Sequence, residues 1–506
     1  MVRQNILANM VGRIWGIVSV YLFIPLYLKF LGIEAYGMVG FYSTLVGVLA
    51  FADLGLTATL SREMARLSVK EDAANELRDL VRTYEAIYLC ISLVLATVIW
   101  FTAPLVAQRW LKAITLQHSE ITSSIRLMGI AIALQLPAGL FIGGLIGLQK
   151  QVLTNIIQIV WGLFRGLGAA LILWLISPTI YAFAFWQLFS NAIYCYAARR
   201  SLWRVLPSAA FQPRFNPLVF RGTWRYTAGI AGMAFLSAIL IQTDKLVVSK
   251  ILPLETFGYY MLASALAMGP AVLAGPIGSA VFPRMTGLVA KGDQEILFQV
   301  YHKACRLVSV AVIPGALTLA LFSRDFLLAW AGPSAAQKAG LTASLLLGGA
   351  GIQALLIIPF YLALANGNTK LNLSLGLISV ILITPLLISL IHKYGAVGGG
   401  ISWLVMNVCT LPPYMYFFHR RFINYDLKKW VLYDVGRPLL ASLPIILLGR
   451  LILPTASSRV LIFSVIGLVW GLSAVTAVVT LPDLRNEFFM MAKKFGPRFK
   501  ESDSAI

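Results

Sequence analysis

Apolar runs of about twenty residues follow one another along almost the whole chain, parted only by short clusters of lysine and arginine. A helix of about 20 apolar residues is what a bilayer's hydrocarbon core requires, so each run is a candidate span. Only 12% of the 506 residues are charged while 59% are hydrophobic; a soluble domain carries roughly 25% charge to keep its surface wetted. The chain is therefore expected to be an all-α polytopic membrane protein without a soluble domain of any size. About fourteen spans are expected, at 10–30, 37–60, 83–105, 126–147, 153–176, 178–198, 226–249, 258–283, 304–330, 340–364, 371–391, 397–418, 437–453 and 460–481. The run from Met10 to Leu31 is too long for the apolar core of a cleavable signal, and no small-residue cleavage site follows it.

Orientation follows from the basic residues, which accumulate on the cytoplasmic side. With the N-terminus inside, the external loops hold Lys29, Arg109, Lys112, Lys250, Lys338, Lys393, Arg450 and Arg459, and the spans hold Arg126, Arg165, Lys245 and Arg324. The remainder of the 41 Lys and Arg fall on cytoplasmic segments, so both termini are expected to be cytoplasmic. The net charge of +21 needs no nucleic acid; anionic phospholipid headgroups are the expected partner. Cys90, Cys195, Cys305 and Cys409 lie in apolar runs without ligand spacing, which excludes a disulfide framework or metal site and leaves them as small core residues.

The chain repeats itself. Ala35-Tyr36-Gly37 returns as Thr256-Phe257-Gly258 at an offset of 221, Trp100-Phe101 as Leu321-Phe322 at the same offset, and Gly147-Leu148-Gln149-Lys150 as Gly367-Asn368-Thr369-Lys370 at 220. Six helices per repeat is an even number, so the second copy enters from the same side and the repeat is parallel. Two six-helix lobes around a central cavity are expected, residues 1–205 and 206–421, with two further helices and a basic cytoplasmic tail in 422–506.

A charge at the bilayer centre costs ~2.5–3.5 kcal/mol on insertion scales, so embedded charges face water or a partner. Arg13 and Asp53 fall at similar depth in the first two spans and read either as a structural ion pair or as a substrate or gating site. Arg165 is mid-span in the fifth, where an apolar helix has no need of it for stability. Asp244 and Lys245 lie in the outer half of the seventh. Arg126, Arg324 and Asp325 sit near the outer surface, where snorkelling accounts for them. The candidate cavity residues are thus Arg13, Asp53, Arg165, Asp244 and Lys245, and their mostly cationic character suits an anionic ligand such as a phosphate. Pro270, Pro276 and Pro314 interrupt the eighth and ninth spans and serve as hinges or as static kinks. Glycines at 12 and 16, at 139, 143 and 147, and at 162 and 166 are small-residue faces for close helix packing.

No phosphate-binding loop occurs and no loop is large enough for a nucleotide-binding domain, so no cofactor is expected and the chain cannot itself hydrolyse ATP. The longest external loop, 106–124, offers only His118 and Glu120 to a membrane enzyme. These features reach a secondary transporter or flippase.

Leu31-Gly32-Ile33-Glu34-Ala35-Tyr36-Gly37, Phe51-Ala52-Asp53-Leu54-Gly55-Leu56 with Arg62, Gly147-Leu148-Gln149-Lys150, and Gln242-Thr243-Asp244-Lys245-Leu246-Val247-Val248-Ser249-Lys250 together resemble the polysaccharide transporter family. These are the O-antigen flippases of the multidrug/oligosaccharidyl-lipid/polysaccharide exporter superfamily, and the likeness covers roughly residues 1–420. It implies alternating-access transfer of an undecaprenyl-diphosphate-linked oligosaccharide across the bacterial inner membrane, coupled to a proton or sodium gradient. It also implies a polysaccharide polymerase and a chain-length regulator as partners. Arg13 and Asp53 fall where the lipid II flippase branch carries a basic and an acidic residue. That branch has further arginines where this chain reads Leu45-Val46-Gly47-Val48 and Tyr259-Tyr260-Met261-Leu262-Ala263-Ser264, so an O-antigen or exopolysaccharide cargo is preferred. The alternatives are a multidrug exporter of organic cations, which calls for more buried carboxylates than arginines, and a membrane enzyme of polysaccharide assembly.

Overall fold

The computed structural model describes residues 2–70, 73–208, 211–367, 370–423, 427–452 and 458–487. Asn368 and Thr369 of the repeat motif and the end of the basic tail lie outside them. The described residues are helical, with no strand and a single isolated bridge between Lys112 and Pro253. In hydrocarbon this is what backbone chemistry demands, since a helix satisfies its own N–H and C=O groups. Among the described residues eleven helical stretches are long and apolar enough to cross a membrane, so the protein is a multi-pass membrane protein.

The chain runs through α1 (Val2–Leu49), α2 (Leu56–Leu67), α3 (Ala74–Arg109), α4 (His118–Gly147), α5 (Gln151–Leu175), α6 (Ile180–Val205), α7 (Pro217–Ile251), α8 (Leu254–Ala267) and α9 (Gly269–Lys291). It continues through α10 (Gln294–Leu321), α11 (Ser323–Ala331), α12 (Pro333–Leu355), α13 (Ile357–Ala365), α14 (Lys370–Tyr394), α15 (Ala396–Phe422), α16 (Leu427–Lys429), α17 (Arg437–Ile452) and α18 (Arg459–Val479). Contacts gather these into two compact units, 1–261 with 384–396, and 262–383 with 397–506.

The expected spans can be followed along these helices. The first two expected spans are two helical stretches within α1, parted where Gly32 takes the non-helical φ 76° and ψ 172°. Helices α6 and α15 are long, 26 and 27 residues, but Gln, Asn, Trp and Tyr dilute their apolar content. The fifth and sixth expected spans are cleanly divided at Ser177-Pro178-Thr179: Thr179 caps α6, its hydroxyl accepting from the Ala182 N–H at 3.3 Å. The thirteenth span is longer than expected, because a π turn over Trp430–Gly436 joins α16 to α17. The interruption expected in the eighth span is a single residue, Met268, between α8 and α9, which keeps helical dihedrals at φ −72° and ψ −20°; Pro270 then occupies the first turn of α9, where its missing N–H costs nothing. Pro276 and Pro314 lie within α9 and α10.

Repeat-related positions meet one another inside the first unit. A Cβ on Gly258 would lie 2.5 Å from the Ile33 carbonyl oxygen, and a Cβ on Gly37 would run into the carbonyl of Leu254; both 33 and 254 and 37 and 258 are separated by 221. Gly40 faces Met261, its own repeat mate, where a Cβ would lie 2.5 Å from Met261 Cγ. Contacts that survive exchange of the two copies are the signature of a two-fold axis.

In the second unit the appended helices are tied to α10. Buried Asp434 holds the His302 ring nitrogen and lies 3.4 Å from Arg306, which also reaches Asp483 at 2.8 Å; Lys303 pairs with Glu487. At the other end Arg450 pairs with Asp325, so Asp325 is an ion-pair partner rather than a snorkelling carboxylate. Cys195 and Cys305 are part-buried and buried, as core residues would be, whereas Cys90 and Cys409 are exposed on their helices. A membrane helix turns one side to lipid, and a small weakly polar thiol suits that side as well as a core.

Candidate functional site

Helix α5 has four sides, and each can be assigned. Val152, Ile156, Val160, Leu163, Leu167, Leu171 and Trp174 form one exposed apolar stripe, the side turned to lipid. A second side meets α1: Gly12 abuts Asn155, Trp15 packs on Gly162, Phe23 packs on Gly166, and the Tyr27 hydroxyl donates to the Gly166 carbonyl at 3.1 Å. Gly166 is needed for that approach, since a Cβ there would enter the Phe23 ring. A third side meets α6, where Trp186 covers Gly168 and its indole N–H donates to the Phe164 carbonyl at 3.2 Å. The fourth side carries Gln151, Thr154, Gln158, Trp161 and Arg165, spaced three and four residues apart and about half a turn from the lipid stripe. Gln158 is exposed there, although it does not face lipid.

Arg165 is half-buried and makes no ion pair among the described residues. Its guanidinium carbon lies 4.5 Å from the Trp161 ring centroid, and Trp161 is itself stacked on Tyr194 of α6 at 4.2 Å. A cation–π contact uses none of the guanidinium's N–H donors, which remain available to a phosphate or carboxylate. The positive field reaches the phenols of Tyr27, Tyr42 and Tyr194, so the charge sits in an aromatic, polar surround within one unit. Asn191 fixes part of that surround, donating to Tyr42 at 3.3 Å and to the Ala131 carbonyl at 3.0 Å.

The other expected residues are placed differently. Asp53 closes the helix rather than lying two turns inside it: α1 ends at Leu49, a 3₁₀ turn continues over Ala50–Asp53, and Leu54 and Gly55 adopt left-handed conformations at φ 49° and 73° before α2. The Asp53 carboxylate accepts from the Thr57 and Tyr88 hydroxyls. The side chain of Arg13 lies outside the described residues, so Asp53 is joined to hydroxyls while its expected partner stands undescribed. Asp244 and Lys245 satisfy each other at 3.1 Å; Lys245 also donates to the Ile241 carbonyl at 2.9 Å, and the Tyr260 hydroxyl donates to Asp244 at 2.7 Å. Arg126 stacks over Trp100 at 4.7 Å. His118 lies 3.1 Å from the Ala107 carbonyl. Among the described residues no three His, Cys, Asp or Glu converge. The sequence reading singled out Arg165 but missed the stripe that carries it, although the spacing 151, 154, 158, 161, 165 is visible in the sequence. It also missed the ionic network on α10, which joins residues over a hundred positions apart.

Residues 2–289 match the polysaccharide biosynthesis protein family. A candidate O-antigen transporter of Shigella flexneri is 25% identical over 386 residues, covering 74% of this chain and 87% of that protein. The membrane protein EpsK of Bacillus subtilis, itself uncharacterized, is 24% identical over 428 residues, covering 81% of this chain and 82% of that one. Among solved structures, the lipid II flippase MurJ in an inward closed conformation superposes with a TM-score of 0.75 at 13% identity over 95% of this chain and 99% of that one. An inward-facing multidrug transporter of the MOP superfamily gives a TM-score of 0.67 at 12% identity over 81% and 94%. These likenesses describe the fold; the match over more than half the sequence places the chain in the polysaccharide biosynthesis protein family.

Proposed function

We propose that this protein is a flippase, moving an undecaprenyl-diphosphate-linked oligosaccharide, an O-antigen or exopolysaccharide repeat unit, from the inner to the outer leaflet of a bacterial inner membrane. Both termini face the cytoplasm. The six-helix repeats, 1–205 and 206–421, alternate access while an ion gradient supplies the driving force, and the polyprenyl tail stays in lipid as the charged head crosses. The observation that carries this reading is Arg165: a mid-membrane cation, unpaired among the described residues, stacked on Trp161 and turned away from the lipid stripe. A diphosphate is its natural partner, and a charge-assisted contact there is worth ~1.5–3 kcal/mol. The fold is shared with a multidrug transporter, but an organic cation would be repelled by this site.

The test is reconstitution into liposomes with a lipid-linked oligosaccharide. Arg165→Ala should slow translocation about 10- to 100-fold, and Arg165→Lys, which keeps the charge but loses the fork, should fall between. Translocation by Arg165→Ala at the wild-type rate would overturn the assignment, and uptake of organic cations by the wild type would favour the multidrug reading.

A further inference from the structure

Two turns along α5 from Arg165, about 10 Å, the polar side changes character. Gln158 is exposed although it lies opposite the lipid stripe, about one turn before Trp161, which is stacked on Tyr194 of α6. A primary amide offers two donors and an acceptor. On either flank stands an indole whose N–H is buried and without an acceptor: Trp161 Nε1 on the α6 side and Trp15 Nε1 on the α1 side. The latter is 3.1 Å from where a Cβ on Gly162 would stand. Orphaned buried donors are rare and call for an explanation. Here two of them flank, on adjoining sides of α5, the side that carries the exposed amide.

We infer that Gln158, Trp15 and Trp161 form a saccharide subsite that reads the sugar of the lipid-linked cargo, apart from the grip of Arg165 on its diphosphate. The inference rests on the flippase reading above. Sugar hydroxyls and ring oxygens supply the acceptors that the indoles lack, and they both donate to and accept from the amide. The apolar faces of a pyranose suit walls built of tryptophan and tyrosine. A phosphate would satisfy the indoles but would not use the amide's acceptor oxygen. A lipid tail would satisfy none of the three.

Two probes separate the subsite from the charge site: undecaprenyl diphosphate without sugar, and the same lipid bearing a trisaccharide, each followed in proteoliposomes. Gln158→Leu keeps the volume and removes the amide, and it should lower the glycosylated-to-bare transport ratio about tenfold. Trp15→Phe, which keeps a ring and deletes the N–H, should lower that ratio in the same direction. Arg165→Ala should slow both probes and leave the ratio within about twofold. A ratio unchanged in both Gln158→Leu and Trp15→Phe overturns the subsite, whatever Arg165 does. An unaffected Arg165→Ala alongside an altered ratio would instead remove the diphosphate assignment and keep the sugar site. Protein that elutes as a single species in detergent is required of every variant, and Gln158→Asn, which restores an amide, should recover part of the ratio.

Discussion

The cluster that binds the last helices to α10 gives a sharp energetic test. Asp434 is fully buried and has two charged or chargeable partners, His302 and Arg306. Arg306 is 13% exposed and divides its guanidinium between Asp434 at 3.4 Å and Asp483 at 2.8 Å, the latter 62% exposed. Arg306→Met strands the Asp434 carboxylate with a single imidazole. Breaking a buried pair by removing one partner costs ~3–5 kcal/mol, and losing the solvent-screened Asp483 contact adds ~1 kcal/mol or less. His302 still donates, so the lower end of that range, about 3 kcal/mol, is the expected loss. At roughly 2–4 °C per kcal/mol for a unit of this size, the detergent-solubilised variant should unfold about 6–12 °C earlier. Asp434→Leu added to Arg306→Met removes the stranded charge and should return the melting point to within about 3 °C of wild type, because an apolar replacement of a buried pair is often nearly neutral. The assay is thermal unfolding in detergent, read by near-ultraviolet circular dichroism to report packing around Trp430. If the double variant is no more stable than Arg306→Met, the loss does not come from an uncompensated charge, and the reasoning fails.

Two further perturbations probe the first unit. Gly166→Val drives a side chain into the Phe23 ring and should cost ~1–3 kcal/mol by overpacking; Phe23→Ala in that background should recover detergent stability, and no recovery would show that α1 and α5 do not pack as described. Glu34 is buried and accepts from the Thr115 N–H at 2.9 Å, from the Ile114 N–H and from the Thr115 hydroxyl. Glu34→Ala should therefore raise amide hydrogen exchange at Ile114 and Thr115, since each stranded donor costs ~1–3 kcal/mol, and unchanged exchange there would contradict the contact.

The fold was largely legible because a bilayer leaves so little freedom. Twenty apolar residues become a helix whatever their order, and the repeat at 221 announced a duplication that Gly37, Gly40 and Gly258 then realise in contact. Helix ends and breaks were less legible. Asp53 reads as mid-helical because no turn-forming residue interrupts the chain until Gly55, but the left-handed pair at 54 and 55 closes the helix immediately after it. The site was half legible. A lone arginine in an apolar run attracts notice by its cost, whereas Gln158 and Trp161 are too weakly polar to stand out until the lipid-facing side of α5 is known. His302, Arg306 and Asp434 could not be joined from the sequence, because nothing local to α10 indicates which distant carboxylate will neutralise it.

The duplication supplies its own control for the polar stripe. At the offset of 220 that relates Gly147 to Gly367, α5 corresponds to α14, and both helices are 25 residues long. Gln158, Trp161 and Arg165 then correspond to Ile378, Ile381 and Pro385, of which Ile378 and Ile381 are exposed apolar residues. The architecture therefore builds this helix without any of the three polar groups. A mid-membrane arginine costs ~2.5–3.5 kcal/mol, and a stacked indole returns only ~0.5–2 kcal/mol of that. The difference is a standing cost that the second copy avoids and the first retains. Folding has no use for it, since α14 forms without it. On the flippase reading proposed above, water or a ligand anion reaching the fourth side of α5 offsets it, and an anion that displaces that water gains affinity from the same unfavourable term.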